Sequence, residues 1–330
     1  MSAPMIIAAT CGDPGGIGPE VAAKSVEAAA PDTRILLIGE ARYLGRAGTL
    51  PAMPVAGSVD EALDALVSSG AVLLDVSTPG DAPLGAPSAE GGAASIAYLE
   101  AALSIVSSGK AHALVTAPIS KQAIALAGYA WPGHTEFLGE KTGGIPVMML
   151  AARALRFSLV TTHAPIRRVP ELVTTDGIVR TGTVTCEALR RYFGVKRPRL
   201  AVMGLNPHAS DAGRFGDEEA RIIEPAVKEL AGLGWDASGP VAPDTAPFRM
   251  LRGDFDAALA MYHEQAALPV KTLAFDEGIN VTLGLPIIRT SPDHGTAYDI
   301  AGRGAASPAS MTAAVRAAAA MSRAARMACP

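Results

Sequence analysis

The chain has 330 residues, 49% of them hydrophobic yet only 5% aromatic, and 64 alanines account for the difference. A net charge of −4 with no basic run longer than a pair argues against a nucleic-acid footprint, and no apolar stretch reaches the roughly 18 residues of a membrane-spanning helix. The 28 basic residues divide into 21 Arg and 7 Lys beside 6 His, so the position of each Lys and His carries information.

Short apolar runs alternate with helix-length segments. In chain order the pattern predicts strand Met5–Thr10, helix Pro19–Ala29, strand Ile35–Gly39, helix Asp60–Ser68, strand Ala71–Val76, helix Ala89–Ser108 and strand Ala113–Ala117. Helices Lys121–Leu126 and Thr135–Thr142 follow, then strands Val147–Ala151 and Phe157–Thr162, helix Thr175–Tyr192, strand Arg199–Leu205 and helix Glu218–Gly232. The last elements are strands Ala257–Tyr262, Val270–Ala274 and Val281–Leu285, and an alanine-rich packing helix Ser307–Met327. Strands that read as unbroken apolar runs between helices predict an α/β fold whose mostly parallel sheet is covered on both faces. Ser77–Gly92, rich in Pro, Gly, Ala and Ser, reads as a surface loop. Met1-Ser2-Ala3-Pro4 lacks the basic region and cleavage site of a signal peptide. Cys11, Cys186 and Cys329 form neither a zinc motif nor a redox pair, and together these features suit a reducing cytoplasm.

Ligands in open α/β sheets bind beyond the carboxyl ends of the strands. Three histidines stand at that station on three strands: His163 after Leu159-Val160-Thr161-Thr162, His208 after Leu205-Asn206-Pro207, and His263 after Leu259-Ala260-Met261-Tyr262. Three neutral imidazoles suit a divalent metal with one position left open, the alternative being separate hydrogen-bonded structural residues. His134 precedes Thr135, a natural N-cap. It stands either beside an anion at the helix N-terminus or on the plain surface. Lys271, Asn280 and Arg289, nine residues apart on successive predicted strands, are either a phosphate or carboxylate clamp or solvated strand ends. The run Gly12-Asp13-Pro14-Gly15-Gly16-Ile17-Gly18-Pro19-Glu20 links a strand to a helix but fits neither the Rossmann fingerprint nor a P-loop. Asp13 and Glu20 are left as cleft residues or as turn and helix-start residues.

Taken together, Gly12–Glu20, Thr116-Ala117-Pro118-Ile119-Ser120-Lys121, Pro132-Gly133-His134-Thr135-Glu136, Leu205-Asn206-Pro207-His208-Ala209, Gly239–Thr245, Gly278–Pro286 and Arg289–Ala297 resemble the 4-hydroxythreonine-4-phosphate dehydrogenase family of pyridoxal phosphate biosynthesis. The resemblance covers nearly the whole chain. It implies an isopropylmalate/isocitrate dehydrogenase-like fold, two α/β/α domains around a cleft, with 1–137 plus about 290–330 in the first and about 138–289 in the second. It implies NAD- or NADP-dependent oxidation of 4-phosphooxy-L-threonine to 2-amino-3-oxo-4-phosphooxybutanoate, which decarboxylates to 3-amino-2-oxopropyl phosphate. His163, His208 and His263 fall on the family's metal positions, with zinc the expected ion and magnesium or cobalt as alternatives. His134, Thr135, Lys271, Asn280 and Arg289 fall on substrate contacts, and Asp244 on an aspartate near the substrate, a candidate base. The family's active site is shared across a homodimer. The segment from His294 to Gly304 is similar to the cofactor loop of isopropylmalate dehydrogenases, which makes His294, Gly295, Thr296, Ala297 and Asp299 the cofactor candidates.

Two departures stand out. The family's His-Asp-Gln-Gly reads His263-Glu264-Gln265-Ala266 here, and Gly15 stands where the family has Ala. They leave open a relative acting on 4-phospho-threonate, 4-phospho-erythronate or a terephthalate-derived cis-dihydrodiol. A phosphate-handling acyltransferase of related fold is the alternative of another class.

Overall fold

The computed structural model describes residues 4–27, 30, 32–46 and 52–328; Cys329 and the predicted helix end at Ala28 and Ala29 lie outside them. The chain divides into two compact units, Met1–Pro146 with Leu285–Arg323, and Val147–Gly284 with Ala324–Pro330.

The first unit holds strands β1 (Met5–Thr10), β2 (Thr33–Gly39), β3 (Val55–Ala56), β4 (Ala71–Asp75), β5 (Ala113–Thr116) and β12 (Arg289–Pro292). They lie in the order β3-β4-β2-β1-β5-β12, every neighbouring pair parallel. Both faces of β1, β2, β4 and β5 are buried, which is why they read as continuous apolar runs rather than alternating ones. The helices are α1 (Gly18–Val26), α2 (Ala41–Arg46), α3 (Val59–Ser68), α4 (Ala89–Ser107), α5 (Lys121–Leu126), α6 (His134–Thr142) and α12 (Ala309–Ala328). Ser58, Ser88 and Ser120 start three of them by accepting from Glu61, Gly91 and Ala123 N–H. In α12, Met311, Ala314, Val315, Ala318, Met321 and Ser322 are buried at helical spacing, as a packing helix requires.

The second unit holds β6 (Val147–Ala152), β7 (Leu155–Leu159), β8 (Arg199–Met203), β9 (Asp236–Val241), β10 (Ala257–Ala260) and β11 (Ile279–Leu283). Their order is β11-β6-β7-β10-β8-β9. Strand β6 is antiparallel to both neighbours, while β7, β10, β8 and β9 run parallel. Its helices are α7 (Val169–Leu172), α8 (Thr175–Tyr192), α9 (Glu224–Gly232, continuing a π turn from Glu219), α10 (Ala246–Leu251) and α11 (His263–Ala274).

The structure corrects one predicted strand: Val270–Ala274 is the carboxyl-terminal part of α11. Ala266, Ala267, Val270 and Ala274 are its buried residues, the i, i+4, i+8 stripe of a helix face. Strand β9 was missed because its sequence, Asp-Ala-Ser-Gly-Pro-Val, reads as a loop; as the last strand of its sheet it tolerates Pro240.

The 77–92 segment is not free of the core. Gly85 N–H donates to Gly15 O at 2.8 Å. A Cβ on Gly15 would stand 2.8 Å from both Pro83 O and Ala86 O, so this loop sits where the family's alanine would be. Gly15→Ala is therefore expected to lower stability by about 1–3 kcal/mol, the usual cost of overpacking, as a fall in urea midpoint with unchanged slope.

Candidate active site

In the second unit, β7, β10 and β8 are adjacent and parallel, so their carboxyl ends deliver the following residues to one edge of the sheet. His163 follows β7, His263 opens α11 directly after β10, and His208 lies on the Pro207–Asp211 turn after β8. The His163 and His263 rings have centroids 5.7 Å apart, tilted by 36°. Two imidazoles sharing one tetrahedral zinc at about 2.1 Å per bond have centroids roughly 5 Å apart, so this pair is spaced as a ligand pair is. His208 stands apart from the pair, its Nδ1 3.8 Å from Asp244 Oδ2, both side chains exposed. Among the described residues no group of three or more His, Cys, Asp or Glu side chains is drawn together as a metal site. Of the three expected ligands, two are thus close together and the third lies on a neighbouring loop.

That loop is backbone-strained. His208, Ala209, Ser210, Asp211 and Ala212 all have positive φ, between 46° and 69°. Left-handed backbone costs roughly 1–2 kcal/mol per L-residue, so something must hold it. Glu219, which belongs to no sequence motif, anchors the residues that lead into the loop. It is 2% exposed, its Oε1 accepts from Leu205 N–H and Asn206 N–H, both at 2.8 Å, and its Oε2 accepts from Asn206 Nδ2 at 2.9 Å. Gln265 ties the strand ends together: its Oε1 accepts from Met261 N–H at 2.7 Å and its Nε2 donates to Gly204 O at 2.9 Å. Glu264, the departure from the family pattern, places Oε1 3.2 Å from His263 Nδ1. A carboxylate on Nδ1 fixes the tautomer and leaves Nε2 for a ligand.

Lys271 is two turns along α11 and exposed, on a helix rather than the predicted strand. Asn280 is on β11, half-buried, with its Oδ1 shut from solvent and unpartnered.

In the first unit, Arg289 begins β12 in register with Leu114, and its side chain reaches Thr116 at the carboxyl end of β5. It is 3% exposed and donates Nη2–H and Nε–H to Thr116 Oγ1 at 2.6 and 3.2 Å. Burial pulls its pKa down to about 10, against the pull of Glu136 in the other direction. His134 is the first residue of α6, and its Nε2 is buried without a partner. Gly133, not Thr135, is the N-cap; Thr135 lies in the first turn with its own N–H unclaimed by the helix. A guanidinium, an imidazole and a helix N-terminus on one unit make a receptor for an anion.

Burial first, and the Arg289 charge second, hold the His134 pKa well below 6.5. The unfolded chain takes up a proton near 6.5 while the folded chain stays neutral. The stability from neutral His134 is then complete above about pH 6.5 and declines below it, by up to about 1.4 kcal/mol per pH unit. His134→Asn is expected to flatten that slope between pH 6.5 and 5, seen as a smaller change in urea midpoint than in the wild type.

The segment after β12 carries His294, Gly295, Thr296, Ala297 and Asp299, with His294 Nε2 buried and unpartnered and Ala297 at φ 40°. His112, the remaining histidine, accepts from Ile6 N–H at 3.0 Å and is structural. Cys11 and Cys186 are free and buried; burial raises both thiols, Cys186 to about 12, so neither is a nucleophile.

Residues 32–318 match the family described as Pyridoxal phosphate biosynthetic protein PdxA. The chain is 45% identical over 325 residues to a 4-hydroxythreonine-4-phosphate dehydrogenase of Ruegeria sp. (strain TM1040), covering 97% of this chain and 98% of that protein. The crystal structure of the enzyme so named from Klebsiella pneumoniae superposes with a TM-score of 0.87 at 36% identity, over 97% of this chain and 99% of the other. A terephthalate 1,2-cis-dihydrodiol dehydrogenase from Burkholderia xenovorans LB400 is more distant, at 28% identity and TM-score 0.65, with 96% and 98% covered.

Proposed function

The chain belongs to the family of the pyridoxal phosphate biosynthetic protein PdxA, and from that membership we propose that it is a 4-hydroxythreonine-4-phosphate dehydrogenase, an NAD(P)-linked oxidoreductase. It oxidises the secondary hydroxyl of the phosphorylated amino acid to a ketone, and the 3-oxo acid formed loses CO2 to leave 3-amino-2-oxopropyl phosphate. The observation that carries this reading is the set of three imidazoles at the carboxyl ends of adjacent parallel strands.

A divalent cation on His163, His208 and His263, zinc in preference to magnesium or cobalt for an all-imidazole set, would polarise the substrate hydroxyl, and the dinucleotide would accept the hydride. The chain's own groups do the rest. Glu264 keeps the proton of His263 on Nδ1 and so turns Nε2 outward. Arg289, neutral His134 and the α6 N-terminus at Thr135 take the phosphate. Lys271 and Asn280 address the other polar groups of the substrate. Asp244, exposed with its Oδ2 3.8 Å from His208 Nδ1, would receive the hydroxyl proton. His294, Gly295, Thr296, Ala297 and Asp299 form the dinucleotide loop. The working assembly in this reading is a homodimer with the site shared between subunits, in the cytoplasm. Exposed Leu268, Leu273 and Phe275 on and after α11 support an apolar contact with a second copy. No helix of the described residues is long and apolar enough to cross a membrane.

The test is NADH and NADPH absorbance across a panel of phosphorylated hydroxy acids, with metal content measured in parallel. Turnover of 4-hydroxythreonine 4-phosphate, lost on dephosphorylation, is the expected outcome. Preferred turnover of 4-phospho-threonate or 4-phospho-erythronate would move the substrate within the family. Turnover of a terephthalate cis-dihydrodiol would overturn the phosphate assignment. No reduced dinucleotide from any substrate would overturn the dehydrogenase reading.

A further inference from the structure

The glycine-rich run after β1 has no nucleotide fingerprint, yet its two acids are among the most buried in the chain: Asp13 is 0% exposed and Glu20 1%. Their bonds explain where they point. Asp13 Oδ1 accepts from Gly15 N–H at 2.8 Å, which folds the run back on itself. Asp13 Oδ2 accepts from the Tyr298 hydroxyl at 2.6 Å, across 285 residues of sequence. Beside that bond, Ile17 N–H donates to Thr296 O at 2.9 Å, and a Cβ on Gly16 would fall 2.6 Å from the same Thr296 O. Further along, Glu20 Oε1 accepts from Ala306 N–H at 2.8 Å and from Lys24 Nζ at 2.6 Å. Lys24 spends its other two N–H groups on Gly304 O and Ala306 O, at 2.8 and 2.9 Å.

The segment from Thr296 to Ala306 is thus pinned near its start by Asp13 and Ile17, and at its end by Glu20 and Lys24. It has little shape of its own. It contains one short 3₁₀ turn, Tyr298–Ile300, and left-handed backbone at Ala297, Gly302 and Gly304. Burying two carboxylates is costly, and an apolar packing would hold two loops together more cheaply. What a buried acid bonded to both stretches of chain provides instead is one fixed geometry, although Glu20 Oε2 is itself without a partner. Burial pushes the Asp13 carboxyl up, and its bonds from Tyr298 and Gly15 pull it back down.

We infer that Asp13, acting through Tyr298, and Glu20, acting with Lys24, are positioning residues that set the His294–Gly304 loop in its dinucleotide-binding shape. The glycine-rich run then serves the cofactor at one remove, without touching it. This inference rests on the assignment of that loop to NAD(P) above.

The experiment is a titration of the metal-loaded enzyme with NADH and NADPH by fluorescence, alongside separate KM values for dinucleotide and phosphorylated substrate. Tyr298→Phe keeps the ring and removes the hydroxyl, with its bond to Asp13 and its hydrogen bonds with Ser120 and Thr296. It is expected to weaken dinucleotide binding about 10-fold, the scale of one charge-assisted bond, with KM for the phosphorylated substrate within about 2-fold. Asp13→Ala is expected to weaken it further. Asp13→Asn, which still accepts from Gly15 N–H and can donate to the Tyr298 oxygen, should recover most of the affinity. A wild type that binds dinucleotide while Tyr298→Phe and Asp13→Ala bind it equally well overturns the inference alone, as does a parallel rise in both KM values. A wild type that binds neither dinucleotide overturns the cofactor assignment and this inference with it.

Discussion

His263→Ala is expected to lower kcat on the order of a thousand-fold, about 4 kcal/mol of transition-state stabilisation, and to release the bound cation, with the unfolding midpoint little changed. The reason is geometric. His163 and His263 bring their ring centroids to 5.7 Å of each other, and His208 would reach a shared ion from a separate loop. Removing a member of the pair leaves too few ligands to hold a cation. His263 starts a helix on the outer side of its strand end, so its truncation opens no core cavity. Glu264→Gln tests the same site more gently. It weakens the grip on Nδ1 and should cost about 10–100-fold in metal affinity or activity, as loss of an outer-shell partner does. Metal content of purified protein and steady-state kcat are the measurements. Full activity with unaltered metal content in His263→Ala would sink the assignment.

Arg289→Met should lose activity without losing stability. A buried guanidinium with two bonds to one phosphate contributes on the order of 3–6 kcal/mol to binding it, so kcat/KM for the phosphorylated substrate should fall about 10²–10⁴-fold. For the folded chain alone the balance is different. The drop of the Arg289 pKa to about 10 from 12.5 corresponds to roughly 3 kcal/mol against the charged form at this buried position. An apolar side chain of similar length removes that penalty, so the melting temperature should hold or rise. A lower melting temperature with kcat/KM intact would reverse the roles and make Arg289 structural. Arg289→Met should bring kcat/KM for the phosphorylated substrate toward the residual value of a dephosphorylated one, because the interaction removed is with the phosphate.

Much of this is legible in the amino-acid sequence. Parallel strands buried on both faces write themselves as apolar runs, so β1, β2 and β6 were located to within a residue or two. The station just past such a strand is where His163, His208 and His263 stand out. Two readings fail for local reasons, and one residue carries no signal at all. Val270–Ala274 is a short apolar run after Pro269, which suggests a break before a strand; in fact α11 runs through the proline, and the burial stripe needs Ala266 and Ala267 to be seen as helical. Thr135 is a good cap by composition, but the turn that starts α6 is made by Gly133. Glu219 gave no signal, because a carboxylate that binds backbone N–H groups 13 and 14 residues away belongs to no short motif. Asp13 and Glu20 could be read only as turn residues or cleft residues, since their partners lie 285 and 286 residues off.

The division of the first unit into two stretches of chain has a consequence for synthesis. Thr116 at the end of β5 and Arg289 at the start of β12 are 173 residues apart, and β12 is the strand that closes the β5 side of that unit's sheet. At the usual 5–20 residues per second, a ribosome takes roughly ten to thirty seconds between them. During that interval the nascent chain carries an apolar strand with one hydrogen-bonding edge open, the template for pairing with a neighbouring polypeptide. Slowed translation between codons 117 and 288 would prolong that exposure, and the yield of soluble enzyme would then follow elongation rate and chaperone supply more closely than the stability of the finished fold.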